Sequence, residues 1–100
     1  MEHLISQVEQ WSFNKELHNA EPSKQFVKVV EEVGEIARAL ARSDDYLLRD
    51  AIGDVVVTLI ILAQQHNMTL HECLGFAYQE IKDRTGEIVN GTFVKSEDLG

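Results

Sequence analysis

The sequence predicts an all-α fold: a four-helix bundle that oligomerises and ends in a short extended or hairpin tail. Three observations predict it. Apolar residues recur at i, i+3, i+4 and i+7 in four segments, the period of a helix face. Turn and cap signals separate those segments, at residues 18–22, 43–45, 67–69 and 85–86. The chain has 100 residues, 44% of them hydrophobic, so residues 1–100 are expected to form one domain with its own core. A domain this small is marginal alone, and association is a common remedy.

The first helix is expected over about residues 2–18, where Leu4, Val8 and Trp11 share a face. His18-Asn19-Ala20-Glu21-Pro22 breaks it. Pro22, the only proline, suits the first turn of the second helix. That helix should run to Arg42, with Phe26, Val29, Val30, Val33, Ile36, Ala37 and Leu40 on an arc of about 120°. Ser43-Asp44-Asp45 supplies a turn and N-cap for a third helix ending near His66. Val55 to Ile61 is β-branched and apolar all round, which would also suit a buried strand. The nonpolar character extends from Leu47 to Ala63 with no turn signal except Gly53, so length favours a helix. A helix of this kind needs cover from its own chain or another subunit, and it is the expected oligomer contact.

Thr69-Leu70-His71-Glu72 has the Ser/Thr-x-x-Glu form of a capping box. Behind it, Leu70, Cys73, Leu74, Ala77, Tyr78 and Ile81 form the stripe of a fourth helix. That helix should stop near Arg84, at Thr85-Gly86. Cys73 lies on the stripe and reads as a buried core thiol. Asn90-Gly91, between Ile88-Val89 and Phe93-Val94, signals a hairpin of very short strands.

Charge narrows the function. Lys and Arg number 9 against 17 Asp and Glu, a formal net charge of −8. That opposes a nucleic-acid partner, whose phosphates require a basic surface. The longest apolar run, residues 55–63, is well short of the ~20 residues that span a bilayer, so no membrane is expected. No signal-peptide pattern is visible. A single cysteine excludes an intrachain disulfide and suits a reducing cytoplasm, the expected location.

The acids are not scattered. Glu31-Glu32-Val33-Gly34-Glu35 is followed by Asp50-Ala51-Ile52-Gly53-Asp54. On a helical wheel Glu31, Glu35 and Glu32 lie within about 100°, and Asp50 and Asp54 are i, i+4. If the second and third helices pack antiparallel, the two acidic arcs meet. Glu32 lies about 40° from Ile36, at the border of the apolar stripe, and should be partly buried. Glu35 is further out and Glu31 is the most exposed. Converging carboxylates repel, and a hard divalent cation removes the cost. Mg²⁺ takes oxygen ligands and keeps open positions for water and substrate phosphates. The plain alternative is a solvated helix face.

These residues carry a resemblance. Gln25-Phe26-x-Lys28-x-x-Glu31-Glu32-x-Gly34-Glu35 and Asp50-x-Ile52-Gly53-Asp54 resemble the signature of the MazG-like nucleoside triphosphate pyrophosphohydrolases, the all-α group related to dimeric dUTPases. Ala77-Tyr78-x-Glu80-Ile81-Lys82-x-Arg84-x-Gly86 and Asn90-Gly91-x-Phe93-Val94-Lys95 resemble the C-terminal part of its short members. The family pattern is EExxE followed by ExxD. Here Ala51 stands three before Asp54, and Asp50, one residue earlier, is the nearest acid.

The resemblance implies a Mg²⁺-dependent enzyme, with Mn²⁺ as a substitute. It would cleave an NTP or dNTP to the monophosphate and pyrophosphate by attack of water on the α-phosphorus. By position Glu32, Glu35 and Asp54 are implied metal ligands, with Asp50 in place of the missing glutamate. Glu31 or Glu35 would take the proton from water. Lys82 and Arg84 match the family's basic pair for the phosphates, with Lys95 and Lys28 as further candidates. The alternatives are a helix-dipole contact for Lys82 and Arg84 and an intrahelical ion pair for Lys28. Trp11, with Asn14 and Phe13 nearby, is a candidate to hold the base, against core packing with Leu4 and Val8. The substrate and further copies of the chain, as a homodimer or homotetramer, are the expected partners. The other classes that remain are a nucleotide-binding regulatory module without turnover and a structural helical oligomerisation domain.

Overall fold

A computed structural model describes residues 2–99. It is helical over most of its length, in the order α1 (Glu2–Asn14), a 3-10 turn (Leu17–Asn19), α2 (Pro22–Ala41), α3 (Asp45–Gln65), α4 (Leu70–Ile81), β1 (Gly86–Val89), β2 (Thr92–Lys95) and α5 (Ser96–Leu99). The four long helices and the hairpin are those the sequence predicts. Among the described residues, no helix is long and apolar enough to cross a membrane.

Local chemistry sets the ends. α1 stops four residues short of its expected end because Glu16 takes a left-handed φ of 61° and turns the chain into the 3-10 segment. Pro22 occupies the first turn of α2. The Asp44 side chain accepts from the Leu47 amide at 3.0 Å and caps α3. The capping box of α4 is complete: Thr69 Oγ1 accepts from the Glu72 amide at 3.0 Å, and Glu72 accepts from the Thr69 amide at 3.2 Å. In the hairpin Val89 pairs with Thr92, and Asn90 and Gly91 have φ of 53° and 80°. Two successive positive φ values define the type I′ turn that Asn-Gly favours. Gly86 opens β1 rather than closing α4, which ends at Ile81. A Cβ at Gly86 would collide with the Val94 carbonyl and the Phe93 ring, so close approach across the ladder explains this glycine. The one-turn helix α5 carries no periodicity and is not foreseen.

α3 is the organising element. It packs along its length against α2 and, at its C-terminal half, against α1 and the 3-10 turn. Ala51, Ile60, Ile61 and Ala63 of α3 are buried with Ala39 of α2 and Ile5 of α1. Side-chain amides tie the layers. Gln25 Nε2 donates to the Thr58 carbonyl at 3.0 Å, Gln64 Nε2 to the Glu9 carbonyl at 3.1 Å and Gln65 Nε2 to the Leu17 carbonyl at 3.0 Å.

Two expectations need correction. α1 buries the face of Ile5 and Ser12, about 100–120° from Leu4 and Trp11, which stay 64% and 49% exposed. Cys73 is exposed, not buried. α4 meets α3 near its start, and its apolar stripe stays exposed among the described residues. α3, which needs cover from its own chain or another subunit, has it from α2 and α1 of its own chain. The bare stripes lie on α2 and α4, where Phe26, Val30, Leu40, Leu74, Tyr78 and Ile81 are all exposed.

Because α3 touches α1, the 3-10 turn, α2 and α4, its cap should matter to the whole fold. Asp44→Ala is expected to lower unfolding free energy by about 1 kcal/mol in urea titration, with unchanged m-value.

Candidate functional site

The short link at residues 42–44 turns α2 back along α3, so the helices run antiparallel. Gln25 therefore meets Thr58 near one end, and the acids meet further along. Glu32 faces α3 at the margin of the apolar contact. Burial raises its carboxyl above the ordinary range first, and the charges of Asp54, Glu35, Glu31 and Asp50 raise it further. Asp54 is also raised, by burial, by the charge of Asp50 and by a hydrogen bond between the two carboxyls. Glu32 thus feels the charge of the other four acids of the two motifs. Glu32, Glu35 and Asp54 are half-buried, while Glu31 and Asp50 are exposed.

Cations reach only the outer acids. Lys28 Nζ lies 3.9 Å from Glu31, and Arg38 Nη1 lies 3.9 Å from Glu35. Lys28 thus pairs with Glu31, not with Glu32. Both pairs are solvent-exposed and contribute little stability. Among the described residues no cation acts on Glu32 or Asp54. Ala51 is 2% exposed and packs in the helix interface, so that position offers no oxygen. Asp50 stands beside Asp54 instead. The donor set is carboxylate oxygen throughout, which fits a hard divalent cation such as Mg²⁺. Among the described residues no three of these groups are gathered tightly enough to grip an ion as they stand.

The remaining candidates fall into two places. Trp11 lines an apolar groove with Leu4, Val8 and Val57. Val57 lies three residues beyond Asp54, about 4.5 Å along α3, so the groove opens roughly one turn from the acids. Asn14 accepts from Gln10 Nε2 at 2.9 Å on the exposed side of α1. The Phe13 ring stacks on His18, with centroids 4.5 Å apart. The basic residues lie elsewhere. Arg84 and Lys95 share an open cavity at the foot of the hairpin with Glu80, Asp83, Ser96 and Glu97. Lys95 Nζ pairs with Glu97 at 3.4 Å and Asp98 at 4.0 Å. Lys82 and Arg84 have no ion pair among the described residues. α4 and the hairpin make no substantial contact with α2, so one copy does not bring these cations to the acids.

Sequence reasoning gave no role to Gln25 beyond its place in the motif. Its bond to the Thr58 carbonyl clamps α2 to α3 beside the acids. The signal was a lone amide near the apolar stripe, which periodicity counts as noise.

The fold is all-helical apart from the hairpin, and it sets carboxylates of α2 and α3 beside one another. The model of the MazG nucleotide pyrophosphohydrolase domain matches residues 21–87, and the chain belongs to that family. A described relative is the uncharacterized 18.2 kDa protein in the rep-hol intergenic region of Haemophilus phage HP1 (strain HP1c1). It is 36% identical over 69 residues, covering 68% of this chain and 42% of the relative. The chain thus spans less than half of that protein's length. No solved structure matches significantly.

The raised carboxyls give a pH prediction. The native state holds protons more tightly than the unfolded chain, so this contribution is full below the ordinary carboxylate pKa. It is lost as pH rises through the raised folded value. Without divalent ions the melting temperature should therefore contain a component that falls as pH rises from about 4 towards neutrality. Glu32→Gln is expected to flatten that component in a calorimetric pH series.

Proposed function

We propose that this member of the family hydrolyses a nucleoside or deoxynucleoside triphosphate to the monophosphate and pyrophosphate, with Mg²⁺ or Mn²⁺. The carrying observation is the meeting of Glu32 and Asp54 between α2 and α3 with no cation to neutralise them. An unneutralised, all-oxygen cluster favours a metal-bound polyanion over either partner alone. Glu32, Glu35, Asp50 and Asp54 would hold the ion. Bound there, Mg²⁺ would neutralise the triphosphate and lower the pKa of water. Glu31 or Glu35 accepts the proton of the attacking water, since both sit at the open side of the cluster. The Trp11 groove, one turn along α3, receives the base, with Asn14 at its edge. We take residues 1–100 to act as one unit.

Lys82, Arg84 and Lys95 are the proposed phosphate ligands, with Lys28 at the rim. The first three lie on the α4–hairpin arm, so we place the active form in a homodimer or homotetramer that brings arm and acids together. The buried Ala51 supports a second reading, a module that binds nucleotide without turnover.

A panel of NTPs and dNTPs with Mg²⁺ decides between them. Pyrophosphate release from at least one nucleotide is expected. Binding in calorimetry without product would establish the second reading. Glu32→Gln is expected to cut release about 100-fold or more while leaving helix content by circular dichroism unchanged. Asp50→Asn is expected to raise the Mg²⁺ concentration for half-maximal rate about tenfold or more, if Asp50 serves in place of a residue at 51. Unchanged Mg²⁺ dependence would remove it from the site.

A further inference from the structure

The chain has four asparagines, Asn14, Asn19, Asn67 and Asn90. An asparagine side chain is open to attack by the main-chain nitrogen that follows it, so the fate of each depends on that next amide. At three of them the fold ties the amide down. Lys15 N donates to the Trp11 carbonyl at 3.1 Å, Ala20 N to the Leu17 carbonyl at 3.0 Å and Met68 N to the Ala63 carbonyl at 2.9 Å. Asn90 differs. In its two-residue turn the ladder joins Val89 to Thr92, which leaves the Gly91 amide outside it. Among the described residues that amide donates to no protein acceptor. Asn90 and Gly91 are both exposed. Lys15, Ala20 and Met68 also carry a side chain beside the nitrogen, whereas Gly91 carries none.

The attack requires residue 90 to rotate about its backbone, out of the left-handed conformation it holds in the turn at a φ of 53°. Little opposes that rotation. β1 is exposed throughout and β2 has no buried residue. A two-stranded hairpin of this kind is marginal in water. The contacts that hold it lie at its base, where Gly86 meets Val94 and Phe93, and the Ser96 amide bonds to the Thr85 carbonyl at 2.8 Å. The tip can open while the base stays closed, and such local opening costs far less than global unfolding. Asn14, Asn19 and Asn67 lack this freedom. Each sits at the end of a helix or of the 3-10 turn, and freeing the next amide breaks the bond that closes that end.

We propose that the Asn90–Gly91 turn is a self-modifying site, at which the folded chain converts Asn90 to aspartyl and isoaspartyl forms with water as the co-reactant. The Gly91 nitrogen forms a bond to Cγ of Asn90. The bond from Cγ to Nδ2 breaks, and Nδ2 leaves as ammonia, taking up the proton that the Gly91 amide loses. Water then opens the five-membered imide. Addition at Cγ breaks the newly formed bond and gives aspartate. Addition at the main-chain carbonyl carbon breaks the original peptide bond and gives isoaspartate, whose chain runs through Cβ and Cγ. No atom changes oxidation state. Either product adds one negative charge to the formal −8, on the arm that carries Arg84 and Lys95. The isoaspartyl form also lengthens the turn by one backbone carbon, and a two-residue turn then cannot keep Val89 opposite Thr92. The conversion is independent of the hydrolase reading, and its test uses no nucleotide.

The test is incubation of the full folded chain in mildly alkaline and in mildly acidic buffer, beside a sample unfolded in guanidinium chloride. Intact mass, peptide mapping and released ammonia are read together. The folded chain is expected to gain one dalton at Asn90, faster in the alkaline buffer, with an equal amount of ammonia and isoaspartate as the larger product. The rate should lie within an order of magnitude of that in the unfolded sample, because the tip opens readily. Asn14, Asn19 and Asn67 should stay intact over the same time. A folded chain that keeps Asn90 while the unfolded chain converts it would overturn the proposal, since the turn would then protect the bond. Equal conversion at Asn67 would also overturn it, since a tied amide would then make no difference. Asn90→Asp is expected to abolish ammonia release with helix content unchanged. Release that persists in this variant would place the reaction elsewhere and overturn the assignment.

Discussion

The packing of α2 on α3 joins two opposed requirements. Apolar contact between Ala39, Ile36 and Val29 on one side and the α3 residues on the other draws the helices together. The same closeness brings Glu32 within the field of Asp54, and on electrostatic grounds the two should separate. Burial and like charge both raise these carboxyls. Hydrophobic contact acts along the whole length of both helices, while the repulsion acts over about one turn, so the pairing holds and the acids stay crowded. The Gln25 clamp adds a directional bond near the same place. The site is thus a local conflict maintained by the rest of the hairpin.

The remainder of the chain is arranged around that hairpin unevenly. α1 and the 3-10 turn cover one end of α3 and are fastened there by Gln64 and Gln65. The α4–hairpin arm is fastened at its base alone. A two-stranded hairpin is marginal in water by itself, and here neither strand has a buried residue. Its integrity comes from the Asn90–Gly91 turn, the Gly86 contact and the bond from the Ser96 amide to the Thr85 carbonyl at 2.8 Å. The arm has well-formed local structure and little tertiary support.

The legible features were those written in local chemistry. Pro22, Asp44, the Thr69–Glu72 box and Asn90–Gly91 each act within four residues, and the elements they bound appear where the sequence puts them. The helical arcs of Glu32 and Asp54 were legible because a wheel needs only the 3.6 period. What was not legible depended on direction in space. Periodicity shows that α4 has an apolar stripe but not that the link aims it away from α2, so Cys73 reads as buried although it is exposed. It shows that α1 has apolar residues on two arcs but not that the Ile5–Ser12 arc wins. The distance between the acids and the arm's cations lies in the same category.

The two exposed pairs beside the cluster, Lys28 with Glu31 and Arg38 with Glu35, have a consequence for ionic strength. Dissolved sodium and potassium screen charge over about 8 Å at physiological concentration, and they act most strongly on groups in open water. They reach these outer pairs and weaken them. They relieve the half-buried Glu32 and Asp54 far less, because screening ions stay in the solvent layer. An ion that lowers the energy of that pair would therefore have to leave bulk water and sit among the carboxylates.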